Sequence, residues 1–459
     1  MVLGRHLFYA LLLLGSGALE SFAKTNPIIT KGNAFFDSVT GERFYLRGVD
    51  YQPGGSSSLI DPLASSACHK DVEIFKKMGV NTVRVYQVDN AADHDDCMKA
   101  FEDAGIYVIL DLNTFRHSIS RSDPAISYNK VYLQHIFSTV DAFKDYDNVL
   151  GFFSGNEVVN DHETTAITWV KATTRDVKAY IKKHASRQIP VGYSAADIAE
   201  NRLELAHYFN CGDESERADF YAFNMYEWCG HSSMSVSGYF DRLREFSDYS
   251  IPLFLSEFGC NTVEILEDQT PDRPFTEIEA IYSPEMTESF SGGLVYEYSA
   301  EPNNYGLVII DGNGDRKISK NCVTLMKQFQ KVPNPKGDGG YRKDGLPSEC
   351  PRNSTYFQAW ETLPPMPKEA KVYMEEGAGE PLGIDGPTNM WSPYHSGDDG
   401  QYTAPKHPKT KPYPINSTNN SKVNQGDEEE EEEESSSSRI AFTVVHLGLV
   451  LAASMLIKF

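Results

Sequence analysis

Eight short apolar runs alternate with segments of helical character, and this alternation constrains the fold more than any other feature of the chain. Asp71 to Met78 begins with acidic residues and ends with basic residues before Gly79, as a helix does. Strands that alternate with helices form a parallel sheet, and eight such units predict a closed (β/α)8 TIM barrel. The predicted strands are Phe44–Gly48, Thr82–Tyr86, Tyr107–Asp111, Leu150–Ser154, Pro190–Tyr193, Phe220–Asn224, Pro252–Glu257 and Gly293–Tyr298.

The predicted helices are Asp71–Met78, Asp95–Ala104, Val131–Phe143, Thr164–Lys183, Asn201–Phe209, Gly238–Phe246 and Ile318–Lys331. The last helix closes a catalytic barrel that we assign to residues 24–332. Beyond it the sequence becomes rich in proline, glycine and charge, which favours a short post-barrel segment at 333–375 and a disordered Pro-, Ser- and Glu-rich stalk at 376–438. A small accessory piece around Gly340 to Tyr373 that packs back onto the barrel is the open alternative.

Both ends of the chain have the pattern of targeting signals. Residues 1–23 combine a basic start, the apolar stretch Leu7 to Leu14 and a cleavage point after Ala23, which predicts a secretory signal peptide. Its apolar core is too short for a membrane-spanning helix. Residues 439–459 are mostly apolar and follow the small residues Ser435 to Ser438. They predict a GPI-attachment signal, with a retained tail-anchoring helix as the alternative.

The charge of the chain restricts its partners. It has 42 basic and 65 acidic residues, a net charge of −23, and part of this excess is the unbroken acidic run Asp427 to Glu434. Because the rest is also acidic, nucleic acid is excluded as a partner, whereas a neutral sugar polymer is not.

The cysteines and histidines indicate an oxidising compartment rather than a metal site. Seven cysteines without a C-x-x-C pair fit three disulfides and one free thiol. No His/Cys cluster has zinc spacing, and Asp311 to Asp315 lacks the later Glu of a calcium loop, which favours a tight hairpin turn. We therefore predict no metal and no cofactor. Candidate N-glycosylation sites, in agreement with secretion, are Asn353, Asn416 and Asn419.

Two of the predicted strands deliver a glutamate. The apolar run that begins at Val149 (VLGFFSGNEVVN) stops at Asn156 and Glu157, and the run from Ile251 (IPLFLSEFGC) delivers Glu257. Barrel enzymes place catalytic groups at strand C-termini, and glycosidic cleavage needs one protonated and one ionised carboxyl group. Glutamates on the fourth and seventh strands, the first preceded by Asn, resemble the barrel superfamily of retaining glycosidases. The alternative for Glu157 is a solvated loop residue.

A more specific resemblance rests on the strings FYLRGVDYQPGG, VRVYQVD, YVILDL, FFSGNEV, NMYEWCG, FLSEFGC and SGGLVYEYS. They resemble fungal glycoside hydrolase family 72, the GPI-anchored cell-wall β-1,3-glucanosyltransferases, in the form without a C-terminal cysteine-rich glucan-binding module. This resemblance implies that Glu157 is the acid/base and Glu257 the nucleophile. The sugar contacts that it implies are Gln52, Tyr86, Asp111, Asn156, Tyr226, Tyr296 and Tyr305.

The same resemblance implies the disulfides Cys68–Cys97, Cys211–Cys350 and Cys229–Cys260, with Cys322 as a buried free thiol. Tyrosine suits sugar binding because it offers a flat face and a hydroxyl group. For each tyrosine a core or rim role is the alternative. Trp228 is either a sugar platform or a cover over a disulfide, and the acidic stretch Glu264 to Phe275 is either a substrate loop or plain surface.

The implied reaction is cleavage of an internal β-1,3-glucan linkage, followed by transfer of the new reducing end to the non-reducing end of a second glucan chain. The site would lie at the cell surface, on the outer leaflet of the plasma membrane through the GPI anchor, and in the cell wall. An endo-β-1,3-glucanase on the same site is the first alternative. A non-catalytic glucan-binding wall protein is the second, and the presence of both glutamates argues against it.

Overall fold

A closed barrel of eight parallel strands forms the centre of the computed structural model, which describes residues 25–55, 58–161, 163–265 and 271–390. The barrel strands are neighbours in chain order, and the last pairs with the first. This confirms the predicted (β/α)8 barrel. The strands are β1 (Ile28–Lys31), β2 (Ala34–Asp37), β3 (Arg43–Phe44), β4 (Leu46–Asp50), β5 (Thr82–Val85), β6 (Tyr107–Asp111), β7 (Val149–Asn156), β8 (Val191–Ala196), β9 (Phe220–Met225), β10 (Leu253–Phe258), β11 (Phe290–Val295), β12 (Val308–Ile310) and β13 (Arg316–Ile318), of which β4 to β11 form the barrel.

Helices follow the barrel strands and cover the outside of the barrel. Local signals set their ends: the Asn129 side chain accepts a hydrogen bond from the Tyr132 amide at the start of α4, and α1 ends at Gly79, whose φ of 75° favours glycine. The helices are α1 (Cys68–Met78), α2 (Asp95–Asp103), α3 (Pro124–Ser127), α4 (Lys130–Phe143), α5 (Ile167–His184), α6 (Arg202–Phe209), α7 (Tyr239–Glu245), α8 (Glu277–Ile281), α9 (Pro284–Thr287), α10 (Lys320–Lys331) and α11 (Lys371–Glu376).

The β1–β2 hairpin, which the sequence pattern did not predict, seals the end of the barrel where the strands begin. Ile28 and Phe35 are fully buried there, and the Phe35 ring lies 5.9 Å from that of Phe220 and 6.0 Å from that of Phe254. The opposite end, where the strands finish, is not covered by this hairpin. The predicted turn at Asp311 to Asp315 is also present, between β12 and β13.

The three disulfides Cys68–Cys97, Cys211–Cys350 and Cys229–Cys260 are present, and Cys322 is a buried free thiol, as the family resemblance implied. The Cys211–Cys350 bridge joins the loop after α6 to the segment beyond the barrel. Among the residues that the structure covers, no helix combines the length and apolar character needed to cross a membrane.

After Cys350 the chain continues against the barrel as far as Met390, and we call residues 351–390 the strap. Near the start of the strap the Trp360 ring lies 4.9 Å from that of Trp169. Near its end Asn389 is fully buried and donates to the carbonyls of Ser118 and Ser127. Residues 376–390, predicted to begin the stalk, thus contact the barrel because their side chains hydrogen-bond its loops.

All described residues belong to the first of two compact units, Met1–Asn416. The predicted signal peptide, the rest of the stalk from residue 391, the GPI signal, Asn416 and Asn419 lie outside the described residues.

Candidate active site

Glu157 and Glu257 both lie where barrel strands finish, at the end opposite the β1–β2 hairpin. Glu257 is in the last part of β10, and Glu157 directly follows β7. Glu157 has a φ of 45°, which costs a non-glycine residue about 1–3 kcal/mol. Its amide donates to the Ser194 carbonyl at 2.9 Å, which holds the residue in this conformation. Backbone strain at a carboxylate in a cleft is typical of functional sites.

Three donors surround the Glu257 carboxylate. The Tyr226 hydroxyl donates to Oε2 at 2.6 Å, the Tyr86 hydroxyl donates to Oε1 at 2.8 Å, and Arg84 Nη1 donates to Oε1 at 3.2 Å. These bonds fix the orientation of a nearly buried carboxylate and stabilise its negative charge. Tyr86 and Tyr226 were predicted here as sugar contacts, and the structure places both hydroxyls on Glu257.

Arg84, which the sequence analysis missed, is fully buried inside the barrel. Its Nε and Nη2 each donate to a different oxygen of Asp111 at 3.0 Å. Its guanidinium lies 4.3 Å from the Tyr86 ring centre and 4.6 Å from that of Phe153. Asp111 therefore holds Arg84 against Glu257 with both of its oxygens. The signal for Arg84 was a charged residue in the middle of the apolar strand TVRV.

Glu157 has a different environment. The Asn224 side chain donates to its Oε1 at 2.8 Å. Burial, and then the negative charge of Glu257, raise the pKa of Glu157 to about 7, although the Asn224 bond works in the opposite direction. Glu157 can therefore hold a proton near neutral pH.

Asn156 lies beside Glu157 in a polar network below the cleft. Its Oδ1 accepts from the Ser194 hydroxyl at 2.8 Å, and Ser194 also contacts Ser256 at 2.9 Å. The Asn224 Oδ1 accepts from Ser256 at 2.8 Å. This network fixes the two asparagine side chains. Neither serine was predicted, because serines inside apolar strands give no distinctive pattern.

Tyr226, Tyr296 and Tyr305 form an aromatic wall beside Glu257. Their ring centres are 5.2 to 6.3 Å apart with edge-on geometry, and all three are partly exposed. Arg273, another missed residue, is buried behind this wall. It donates to the backbone carbonyls of Gly259, Tyr296 and Tyr305, and so joins the loop after β11, which carries two of the three tyrosines, to the end of β10.

Gln52 and Trp228 have supporting positions. The Gln52 Oε1 accepts from the Tyr86 and Gln87 amides at 3.2 and 3.1 Å, and its Nε2 donates to the Ile60 carbonyl at 2.7 Å. Trp228 is buried and donates to Thr276 at 2.9 Å, next to the Cys229–Cys260 bridge. The structure thus brings Gln52 to the site as a brace, and it places Trp228 in the core rather than on a sugar-facing surface.

Two further carboxyl groups near Glu257 were not predicted. Asp50 is fully buried, and neither of its oxygens has a hydrogen-bond partner within the described residues. Burial, and then the charge of Glu257, raise the pKa of Asp50 well above its usual range. Burial raises the pKa of Glu297 to about 8, and its Oε1 accepts from Asn303 at 2.6 Å.

Within the part of the chain that the structure covers, no three His, Cys, Asp or Glu side chains are placed to hold a metal ion. A cavity of about 810 Å³ is lined by Ile189, Pro190 and Asp219, which precede β8 and β9. It therefore lies at the end of the barrel away from Glu157 and Glu257.

Comparison with known proteins agrees with this geometry. Residues 18–333 match the glycoside hydrolase family 72 model, which describes glucanosyltransferases. The chain is 76% identical over 407 residues to the 1,3-beta-glucanosyltransferase gas4 of Schizosaccharomyces pombe, covering 88% of this chain and 89% of that protein. It is 56% identical over 374 residues to GAS5 of Saccharomyces cerevisiae, also a 1,3-beta-glucanosyltransferase, covering 81% and 76%.

Among solved structures, the chain is similar to Saccharomyces cerevisiae Gas2p, a glutamate-to-glutamine mutant in complex with laminaritetraose and laminaripentaose. The two are 42% identical with a TM-score of 0.69, over 77% of each chain.

Proposed function

The chain belongs to the glucanosyltransferase family, glycoside hydrolase family 72, and we propose that it is a retaining β-1,3-glucanosyltransferase with Glu257 as the nucleophile and Glu157 as the acid/base. The observation that carries this proposal is the contrast between the two carboxyl groups. Three donors hydrogen-bond the Glu257 carboxylate, whereas burial and the charge of Glu257 raise the pKa of Glu157 to about 7. A retaining glycosidase needs one group of each kind.

In the first step, Glu257 attacks the anomeric carbon at an internal β-1,3 linkage. Glu157 donates its proton to the departing 3-oxygen, and the reducing-side fragment leaves. A covalent glycosyl–enzyme ester remains on Glu257. The amide nitrogen of Asn156 makes no hydrogen bond within the described residues, and we assign it to the 2-hydroxyl of the reacting glucose, where a contact strengthens in the transition state.

In the second step, the 3-hydroxyl at the non-reducing end of another glucan attacks the ester. Esterification has removed the negative charge of Glu257, one of the causes that raise the pKa of Glu157. Glu157 is therefore more readily ionised and takes the proton of the incoming hydroxyl. Two inversions at the same carbon retain the β configuration, and the product is a longer β-1,3 chain.

Transfer requires that an acceptor sugar compete with water for the glycosyl–enzyme. The aromatic wall of Tyr226, Tyr296 and Tyr305 offers partly exposed rings beside Glu257, which suit a glucose unit. Tyr86 would reach the reacting sugar together with Glu257. The side-chain oxygens of Gln52 and Asp111 already accept hydrogen bonds from the protein. Gln52 supports Tyr86 and Asp111 supports Arg84, so a sugar contact by either residue would be additional to this supporting role.

The protein would work outside the cell, attached to the membrane by a GPI anchor. The signal-like residues 1–23 and the apolar stretch 439–459 support this route, and the three disulfides fit an oxidising compartment. Release of the protein from intact cells by phosphatidylinositol-specific phospholipase C would support the anchor. Retention in the membrane after this treatment would favour a tail-anchoring helix.

Of the three glycosylation candidates, Asn353 is buried, and its Oδ1 accepts from the Ala359 amide at 2.9 Å. A glycan at Asn353 would therefore have to be attached before this segment folds.

Mass spectrometry of reaction products tests the proposed function. The purified protein is incubated with a laminari-oligosaccharide of a single length, alongside Glu157→Gln and Glu257→Gln. We expect products both longer and shorter than the substrate, and neither kind from the variants. Shorter products alone would mean an endo-β-1,3-glucanase on this fold, and activity that survives both substitutions would place the site elsewhere.

A further inference from the structure

Three large apolar side chains are exposed at the open end of the barrel. Leu59 and Ile60, in the loop after β4, are 40% and 59% exposed, and Phe115, in the loop after β6, is 58% exposed. We call these three residues the apolar rim. Single exposed apolar residues are common and need no explanation, but a group held together beside a cleft indicates a binding surface.

Two buried glutamines hold the loops of the apolar rim together. The Gln87 Nε2 donates to the Ser58 carbonyl at 2.8 Å, and its Oε1 accepts from the Phe115 amide at 3.0 Å, so one side chain joins both loops. Gln52 holds the Ile60 carbonyl in the same way at 2.7 Å. The exposed side chains thus project from loop backbone that the two buried glutamines hold in place.

The strap braces the loop of Phe115 from the other side. Thr388 donates to the Arg116 carbonyl at 2.6 Å, and His117 bonds the Pro387 carbonyl at 2.8 Å. The Asn389 side chain accepts a hydrogen bond from the Ser118 amide and donates one to the Ser118 carbonyl. The residues directly after Phe115 are therefore anchored, and the strap that anchors them lies beyond residue 333, where the family match ends.

The apolar rim is continuous with the catalytic centre. The side-chain oxygen of Gln52 accepts hydrogen bonds from the amides of Tyr86 and Gln87, and the Tyr86 hydroxyl donates a hydrogen bond to Glu257. Tyr86, which orients Glu257, is therefore the direct chain neighbour of Gln87, which joins the two rim loops. A polymer that lies across Glu257 and extends towards β4 and β6 would meet the rim next.

We propose that the apolar rim is a platform for glucose units remote from the bond that is cleaved, and that it makes the enzyme prefer long β-1,3-glucan chains. This proposal rests on the proposed function. The C–H faces of a glucose ring pack against an aromatic or aliphatic side chain, and Phe115 offers the larger flat surface. Because the rim makes no contact with either catalytic carboxylate, it acts on binding of the chain and not on the chemical step.

The test is a length series. Initial rates are measured for laminari-oligosaccharide donors of increasing length, with the wild type, Phe115→Ala and Ile60→Thr. We expect Phe115→Ala to lower kcat/KM about tenfold for the longest donors and less than about twofold for the shortest donor that is cleaved, with a smaller loss for Ile60→Thr. A second series varies acceptor length at a fixed donor and shows which of the two glucan chains occupies the platform.

The matched control is Phe240→Ala, because Phe240 is 42% exposed on α7, on the outside of the barrel. It should leave both length series unchanged. A loss in Phe115→Ala that is equal at all lengths, or no loss at any length, would overturn the platform. Misfolding is recognised separately, as loss of the cooperative thermal unfolding transition of the wild type, and Ile60→Thr then carries the test. A failure of the proposed function would appear separately, as a wild type that makes only shorter products.

Discussion

The ends of β7 and β10 each place a glutamate in the same cleft, but the two surroundings differ. Glu257 receives hydrogen bonds from Tyr86, Tyr226 and Arg84, of which two come from strand β5 or the residue after it. Among the described residues, Glu157 accepts one side-chain hydrogen bond, from Asn224. The number of donors, and not the type of residue, thus suits Glu257 to the proposed nucleophilic attack and Glu157 to the proposed proton transfer.

The comparison also shows how a buried site controls charge. Asp50 lies fully buried near Glu257 without a hydrogen-bond donor among the described residues, and its pKa is raised well above its usual range. Burial also raises the pKa of Asp111, but the paired Arg84 works in the opposite direction. Donors supplied by neighbouring strands therefore oppose the effect of burial on the carboxyl groups that they contact.

The largest effect should follow from removing the charge at the β10 end. Glu257→Gln keeps the size of the side chain but removes the nucleophile, so we expect kcat/KM on glucan to fall by about 10⁴-fold or more. The fall should be the same for substrates with good and poor leaving groups. A loss of less than about tenfold would show that the assigned nucleophile is wrong.

Glu157→Gln should differ in this respect. General acid catalysis contributes about 10²–10⁴-fold, and we expect a loss of this size on glucan. A laminaribiosyl fluoride needs little protonation to depart, so the first step with this donor should be almost normal. Burst kinetics with the fluoride measure that step. If the loss is equal for glucan and fluoride, the two glutamates have not been distinguished.

A smaller effect is expected from one donor to Glu257. Tyr226→Phe removes a hydrogen bond to a charged group, worth about 1.5–3 kcal/mol, and should lower kcat about 10- to 100-fold. The matched control is Tyr239→Phe, because the buried Tyr239 hydroxyl has no hydrogen-bond partner within the described residues. Steady-state rates of the two variants show whether the hydrogen bond to Glu257 matters. Equal losses in both would indicate a packing effect.

The smallest effect concerns pH. Glu157 must be protonated for the first step, and its pKa is about 7, so kcat/KM should decline as the pH rises above about 7. The Asn224 bond stabilises the charged form of Glu157, and without it the pKa rises. Asn224→Ala should therefore move the alkaline limb of the pH profile upwards. A limb that stays in place or moves down would contradict this account of the Glu157 environment.

Much of the fold could be predicted because each barrel strand is an apolar run next to a helix with clear end signals. All eight barrel strands were found in this way, and so was the position of Glu157 and Glu257 at the ends of two of them. The β1–β2 hairpin and the short helices α8 and α9 were missed, because four or five residues give no periodic pattern. The contact of residues 376–390 with the barrel was missed because it depends on hydrogen bonds from Thr388 and Asn389, and not on apolar spacing.

Within the site, sequence reasoning found residues that end strands and missed residues that support them. Arg84 and Asp50 face the barrel interior from strands that otherwise read as apolar. Their importance depends on which groups lie opposite them across the barrel, and no local pattern contains that information. Arg273 was missed for the same reason, because it acts through backbone carbonyls in the two loops that follow β10 and β11.

The most direct test of the central claim is to trap the covalent intermediate on Glu257. A 2-deoxy-2-fluoro-laminaribiosyl fluoride destabilises the oxocarbenium-like transition states but keeps a good leaving group, so the glycosyl–enzyme should accumulate. Peptide mapping by mass spectrometry should then show one fluoroglycosyl group on Glu257 and none on Glu157. A label on any other residue, or turnover of glucan by an enzyme that never becomes labelled, would contradict the account.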